Sequence, residues 1–129
     1  MMLIVTLPLP SRELSPNSRC HWAAKAQAAS DARFDAKLAT RSALREASEV
    51  CAWDAATVEP HYFFRVNRRR DGDNATASCK AIFDGLADAG LVKNDSQLRH
   101  LPPVFAVDKK NPRLELWITK AATRREEKA

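Results

Sequence analysis

Residues 58–90 read VEPHYFFRVNRRRDGDNATASCKAIFDGLADAG, and their hydrophobic pattern changes near the centre from a period of two to a helical period. The first part alternates apolar and polar side chains, which is typical of a strand over residues 58–66 with one buried face. If the alternation continues, Asp71 and Asp73 project from the same polar face and can meet at one cation. The segment therefore predicts a strand that leads into a cluster of charged residues.

A helix is predicted over about 75–89, because helix-forming residues dominate this part and Gly90 follows it. Asp73 or Asn74 is a suitable N-cap, since short polar side chains accept hydrogen bonds from the first turn. The apolar side of the helix carries Ala75, Cys79, Ile82, Phe83 and Leu86. The opposite side carries Asp73, Ala77, Lys80, Asp84 and Asp88. One face is thus predicted to join the core and the other to carry a functional site.

N-terminal to this segment, a β-branched strand is predicted over residues 3–7 and a long alanine-rich helix over about 22–50. If the long helix breaks in two, the break is expected at Ser30 and Asp31. One side of the helix is basic and carries Lys25, Arg33, Lys37, Arg41 and Arg45. A solvated helix face is the preferred interpretation of these residues, and a secondary DNA contact is the alternative.

C-terminal to it, two short strands are predicted over residues 104–107 and 114–119, with 109–112 as a hairpin connection between them. Trp117 lies on the otherwise polar face of the last strand, which suggests that it covers a helix or an oligomer contact. The residues that follow, about 121–129, are expected to form a mobile charged tail.

The predicted elements indicate a single domain over residues 1–129 in the α+β class. Its expected architecture is a small mixed β-sheet with one long N-terminal helix and a second helix that carries Lys80. A chain of 129 residues can bury a sufficient core without disulfides or a structural metal.

Composition limits the class of protein. The formal charge of +5 and the pI of about 9.4 suggest a polyanionic partner. The three cysteines are odd in number and lack CxxC spacing, which favours a reducing compartment and a cytoplasmic location. The apolar start is interrupted at Pro8, and the sequence contains no apolar window of about 18 residues, so no membrane-spanning segment is expected.

The charged cluster offers the groups that cutting a phosphate backbone requires. Arg68, Arg69 and Arg70 can hold phosphates in a sequence-independent way. Clustered carboxylates can hold the hard cation that activates water. An EF-hand is excluded, because its template requires glycine and glutamate where the chain has Thr76 and Ile82.

Other catalytic chemistries receive little support from the sequence. The histidines His21, His61 and His100 lie in separate segments without metal-ligand spacing. Ser78 and Cys79 have no flanking base, and Cys79 falls on the apolar helix face, where a buried neutral thiol is expected.

Several motifs together resemble the RusA family of Holliday junction resolvases and span nearly the whole chain. In chain order they are Leu7-Pro8 with Pro10, Pro16-Asn17, Arg-Arg-Arg-Asp-x-Asp-Asn at 68–74, Lys80-Ala81-x-Phe83-Asp84-x-Leu86, Ala89-Gly90, Asp95-Ser96-Gln97, and Arg113-Leu114-Glu115-Leu116-x-Ile118-Thr119. The central block is specific in order, spacing and residue type. The segment 13–17 is similar to the form found in phage and prophage relatives.

The resemblance implies a RusA-like fold and a homodimeric, Mg²⁺-dependent endodeoxyribonuclease that resolves four-way junctions by paired symmetric cuts in DNA recombination and repair. Mn²⁺ is a possible substitute for Mg²⁺. The resemblance also implies that Asp71, Asp73 and Asp95 hold the metal and that Lys80 assists at the phosphate. The implied DNA contacts are Arg68, Arg69, Arg70 and Asn74.

Two features depart from the founding pattern of that family. Lys80 lies three residues farther from Asp73, about one helical turn, and Asn94 replaces an acid beside Asp95. Two other functions remain open. One is a nuclease acting on flaps and other branched DNA, and the second is a non-catalytic architectural protein that binds junctions.

Overall fold

The structure is a computed structural model that describes residues 2–121. The strands are β1 (Met2–Leu7), β2 (Ala55–Phe64), β3 (Leu98–His100), β4 (Val104–Val107) and β5 (Arg113–Ala121). The helices are α1 (Trp22–Glu46), α2 (Gly72–Ser78) and α3 (Lys80–Asp88), with short 3-10 turns at Arg12–Leu14 and Asp95–Gln97. Ala121 therefore belongs to β5, and residues 122–129 of the predicted tail lie outside the described residues.

A mixed five-stranded sheet forms the centre of the domain. The strand order is β1-β5-β2-β3, and β4 pairs with β2 on the same side as β3. β5 is antiparallel to both β1 and β2, whereas β3 and β4 are parallel to β2. The predicted α+β class with a small mixed sheet is confirmed.

The predicted hairpin between the last two strands is wrong. β4 and β5 lie on opposite edges of β2, so the connection between them passes the end of β2 instead of joining neighbours. Asp108 stabilises this connection, because its carboxylate accepts hydrogen bonds from the backbone N–H groups of Lys110 and Asn111 and forms a 2.8 Å ion pair with Arg113. The sequence of residues 109–112 indicates a turn, but it does not indicate that β2 lies between β4 and β5.

The long helix α1 is confirmed and is continuous, so the possible break at Ser30 and Asp31 does not occur. Both residues lie on the exposed side, and Asp31 accepts a 2.8 Å hydrogen bond from Gln27 one turn earlier. The helix ends at Glu46, four residues before the predicted end, and Ser48 follows with a positive φ of 53°. Its buried residues recur every fourth position and are Ala36, Thr40 and Leu44.

The second predicted helix consists of two helices, α2 and α3, separated by Cys79. The backbone N–H of Cys79 bonds to the carbonyl of Thr76, three residues earlier, so the helix tightens at this point. The predicted end is confirmed, because Gly90 has φ of +87° and the N–H of Leu91 reaches back to the carbonyl of Leu86. The apolar face is also confirmed, since Cys79, Ile82, Phe83 and Leu86 are buried.

The core lies between one face of the sheet and the helices α1 and α3. No helix within residues 2–121 is long and apolar enough to cross a membrane. On the other face of the sheet, Trp117 stacks on the ring of His61 at 3.7 Å and donates a hydrogen bond to Glu115. Trp117 therefore packs within its own sheet and does not cover a helix.

The packing of α3 against α1 depends on Gly85, and this gives a prediction for stability. A Cβ atom at this position would lie 2.4 Å from the carbonyl oxygen of Arg33 and 2.7 Å from Cβ of Ala36. We expect Gly85→Ala to lower the free energy of unfolding by about 1–3 kcal/mol through overpacking, despite the better helix propensity of alanine. Urea unfolding followed by circular dichroism measures this change.

Gly72→Ala is the matched control, because the nearest atom to its added Cβ is Cγ of Pro103 at 3.7 Å, an ordinary contact. We expect this variant to be as stable as the native protein or slightly more stable. Equal stability of the two variants would contradict the close helix contact at Gly85.

Candidate functional site

The strand that precedes the charged cluster ends before the acidic residues. β2 stops at Phe64, where its pairing with Val107 of β4 ends, and residues 65–70 leave the sheet. The prediction that Asp71 and Asp73 project side by side from a strand face is therefore wrong. The chain instead turns from β2 directly into α2.

Asp71 is the N-cap of α2, a role that the sequence pattern assigned to Asp73 or Asn74. Its Oδ1 atom accepts hydrogen bonds from the backbone N–H groups of Asp73 at 2.9 Å and Asn74 at 3.2 Å. Asp73 lies in the first turn of the helix and is exposed. Oδ2 of Asp71 forms no hydrogen bond within residues 2–121 and remains available for a ligand.

The arginine run occupies the connection between β2 and α2. Arg68 and Arg69 are exposed, whereas Arg70 is half-buried and places its guanidinium carbon 3.9 Å from the ring centroid of Phe64. This geometry is a cation–π contact. The two exposed arginines are thus free of protein ion pairs in the described part of the chain, and the third is fixed against the sheet.

Lys80 and Asp95 line a common cleft of about 270 Å³, although they lie on different elements. We call it the acidic cleft, and its lining residues are Thr76, Lys80, Phe83, Asp84, Asp95 and His100. Asn94 and Gln97 form a capping box that fixes the turn carrying Asp95. Lys80 makes no ion pair within 4 Å among residues 2–121, so it does not pair with Asp84, four residues later on the same helix.

His100 forms one wall of the acidic cleft and stacks on Phe83 with 4.2 Å between the ring centroids. The loss of water at this contact lowers the pKa of His100, and the nearby carboxylate of Asp95 opposes this effect. The imidazole is therefore neutral at neutral pH and adds no permanent charge to the cleft.

Arg33 on α1 is a further cation near the acidic cleft that the sequence pattern did not identify as part of it. Its guanidinium forms two hydrogen bonds with Asp88, at 2.5 and 2.9 Å. These bonds hold the pKa of the Asp88 carboxyl below its usual value. Arg33 is also within electrostatic range of Asp84 and Asp95. The contact joins residues on two helices distant in sequence, so no local motif indicates it.

The three acids predicted to bind a metal do not converge in this structure. Asp71 lines a different cleft, on the side of α2 that faces the arginine run. No group of three or more His, Cys, Asp or Glu side chains within residues 2–121 is arranged to hold a metal ion. Their oxygen donors nevertheless suit Mg²⁺, which commonly uses one or two carboxylates and completes its shell with water and substrate phosphate. The residues thus fit an ion shared with a substrate better than a preformed cage of three acids.

Cys79 lies beneath these clefts and is fully buried, as predicted. Its sulfur lies 2.7 Å from the hydroxyl oxygen of Tyr62, which also donates a 2.7 Å hydrogen bond to the carbonyl of Ala75. Burial raises the pKa of the thiol to about 11, so the group is neutral and unreactive at neutral pH. The contact ties α2 to β2.

Comparisons with known proteins give little guidance about function. No family model matches the chain. An uncharacterized protein from Xylella fastidiosa is 33% identical over 88 residues, and the match covers 68% of this chain and 58% of that protein. The chain thus spans less than two thirds of the length of this relative. The periplasmic domain of Helicobacter pylori MotB is a structural neighbour with 15% sequence identity and a TM-score of 0.40. The structural match covers 96% of this chain and 82% of the MotB chain. Similarity at this level supports no conclusion about function.

Asp71 caps α2, so its contribution to the stability of the fold can be measured separately from any role in catalysis. Asparagine caps helices about as well as aspartate, so we expect Asp71→Asn to change the free energy of unfolding by less than about 0.5 kcal/mol. Asp71→Ala removes the acceptor for two backbone N–H groups and is expected to cost about 1 kcal/mol. Chemical denaturation of both variants beside the native protein measures the difference. Equal losses in the two variants would contradict the cap.

Proposed function

We propose that this protein is an Mg²⁺-dependent endodeoxyribonuclease that resolves four-way DNA junctions. The observation that carries the proposal is the arrangement of charged residues on the two sides of α2. Lys80 and Asp95 line a cleft on one side of this helix, and Arg69 and Asp71 line a cleft on its opposite side. Phosphate-binding cations and acidic oxygen donors thus border the same short helix. The motifs that resemble the RusA resolvases support the proposal independently, because they contain these residues in the same order.

Each group has a chemical role in this proposal. Arg68 and Arg69 are exposed and hold phosphates of the DNA backbone, which makes binding sensitive to salt. Lys80 has no partner carboxylate within 4 Å in the described part of the chain, so its ammonium is available to stabilise negative charge on the reacting phosphate. When bound, Mg²⁺ supplies an activated water.

The three acids differ in what they can contribute to this reaction. Asp71 retains one oxygen for the ion while its other oxygen keeps the helix start in place. Asp73 and Asp95 are exposed and make no ion pair among residues 2–121. Both side chains are therefore free to supply oxygen ligands to a cation that would be held together with a substrate phosphate.

The proposed reaction also suggests an assembly and a location. Resolution of a junction requires two symmetric cuts, and a C2 homodimer provides two equivalent sites. We place the protein in the cytoplasm, where its three cysteines remain reduced.

Cleavage of synthetic DNA tests the proposed function. We expect the native protein with Mg²⁺ to introduce paired symmetric nicks into a labelled four-way junction but not into linear duplex or flap DNA. EDTA should abolish the nicks, and Asp71→Asn and Asp95→Asn should each lower the rate at least about 100-fold, since each removes a charge from the proposed site. Asp54→Asn is the control, because Asp54 is exposed and lines neither cleft.

The other outcomes of this assay identify the alternatives. Equal cleavage of flaps and junctions would indicate a broader nuclease for branched DNA. Tight junction binding without metal-dependent cuts, unchanged or strengthened by Asp71→Asn, would reject the enzyme and indicate an architectural protein.

Lys80 is predicted to act on the reaction more than on binding. Lys80→Gln keeps a polar side chain of similar length, so we expect junction affinity within about threefold of native and a cleavage rate reduced at least about 100-fold. Lys109→Gln, at an exposed lysine in the connection before β5, is the matched control and should leave the rate unchanged. A parallel fall of affinity and rate in Lys80→Gln would indicate that Lys80 only binds DNA.

A further inference from the structure

A second cleft lies on the other side of α2 and has a volume of about 430 Å³. The N-terminal segment before α1, the arginine run and the ends of β2 and β4 enclose it. We call it the aromatic cleft, and the side chains used below are Arg12, Tyr62, Phe64, Arg69, Arg70 and Phe105. This volume is within the range of about 300–1,000 Å³ that is typical of small-molecule sites.

Three aromatic rings form the floor of the aromatic cleft. Phe105 meets Tyr62 edge-on with 5.6 Å between the centroids and lies 5.8 Å from Phe64. Tyr62 is buried, whereas Phe105 keeps 37% of its surface exposed. A large ring that is fixed by its neighbours and remains accessible can stack with a flat ligand at a low cost in side-chain entropy.

Cations line the wall beside this floor. Arg70 lies over Phe64, and its Nε atom is buried without a hydrogen-bond partner within residues 2–121. The contact with Phe64 holds the charge of Arg70 at the wall of the cleft. Arg12 and Arg69 add two more positive charges, against a single lining carboxylate, that of Asp71.

The combination of an accessible aromatic ring, guanidinium groups and a small volume matches one class of ligand. Single-stranded nucleic acid is recognised by stacking of bases on aromatic side chains or arginine planes, with basic residues along the backbone. A purely apolar ligand would leave the arginines unsatisfied, and a simple anion would leave the aromatic floor exposed. A nucleotide satisfies both parts of the cleft.

We propose that the aromatic cleft binds one unpaired nucleotide of branched DNA, with its base on Phe105 and its phosphate at Arg69 and Arg12. This inference rests on the proposed function and adds a substrate subsite to it. Asp71 lines the same cleft, so the bound nucleotide adjoins the carboxylate assigned to the metal. Extruding a base from a stack costs a few kcal/mol in a duplex and less at a branch point, which makes the cleft selective for branched DNA.

Binding without cleavage tests the inference. A fluorescent single-stranded hexanucleotide is titrated in EDTA with native protein, Phe105→Leu and Phe34→Leu, and fluorescence anisotropy is recorded. Loss of a stacked base costs about 1–3 kcal/mol, so Phe105→Leu should weaken binding about 5- to 150-fold. Phe34→Leu removes an exposed ring on α1, outside the aromatic cleft, and should bind as the native protein does. Thermal unfolding establishes that both variants are folded.

A second pair of variants keeps the test valid if Phe105→Leu does not fold. Arg69→Gln alters an exposed cleft residue and should weaken hexanucleotide binding more than Arg99→Gln, which alters an exposed arginine on β3 outside both clefts. In a four-way junction with 2-aminopurine at the branch point, native protein in EDTA should change the fluorescence of the probe. Phe105→Leu, or Arg69→Gln in its place, should reduce that change.

The outcomes separate the inference from the proposed function. Junction cleavage by the native protein, with hexanucleotide binding that is insensitive to the cleft variants, overturns the subsite alone. Binding that is sensitive to these variants, without any metal-dependent cleavage, retains the nucleotide site and overturns the nuclease. A free mononucleotide that competes as strongly as the hexanucleotide would show a site for soluble nucleotides and would overturn a DNA subsite.

Discussion

The pairing of β2 along both of its edges is the constraint on which the rest of the structure depends. β5 pairs with one edge from Ala55 to Phe63, and β3 and β4 divide the other edge between them. Among residues 2–121, neither edge has a strand partner beyond Phe64, and the chain leaves the sheet there. The arginine run and the start of α2 are therefore delivered to one end of the sheet. Tyr62 then fixes α2 to that end through its hydrogen bond to the carbonyl of Ala75.

The break between α2 and α3 determines where Lys80 lies. Cys79 is held against Tyr62, and Lys80 is the first residue of the helix that follows. α3 is in turn fixed against α1, because Gly85 allows the backbones to approach closely. Lys80 thus lines the same cleft as Asp95. It does so although Lys80 lies about one helical turn farther from Asp73 than in the founding pattern of the family that the sequence resembles. The tightened turn at Cys79 thus sets the start of α3 and the direction in which Lys80 leaves it.

Sequence reasoning succeeded where the determining forces are local and failed where they are not. The continuous helix α1, the apolar face of α3 and the end at Gly90 follow from residue spacing and backbone preference. The position of β4 depends on which edge of β2 it pairs with, and no short pattern specifies that choice. The alternation of residues 58–66 predicts a strand that continues to Asp71, but β2 ends at Phe64 and Asp71 caps a helix. The Arg33–Asp88 contact joins residues far apart in sequence, and only the packed helices bring them together.

The charges on the two sides of α2 determine how a polyanion can approach. On the acidic side, Asp84 and Asp95 face one lysine and a neutral His100, so a phosphate there meets repulsion unless a cation accompanies it. On the aromatic side, Arg12, Arg69 and Arg70 outnumber the single lining carboxylate of Asp71, whose Oδ1 atom accepts two backbone hydrogen bonds. If the protein binds DNA as proposed, the backbone should dock first on the aromatic side, by attraction that weakens as salt increases. In that proposal Asp71, Asp73 and Asp95 would hold a cation only together with the bound phosphate, so the carboxylates would not need to form a complete metal site beforehand.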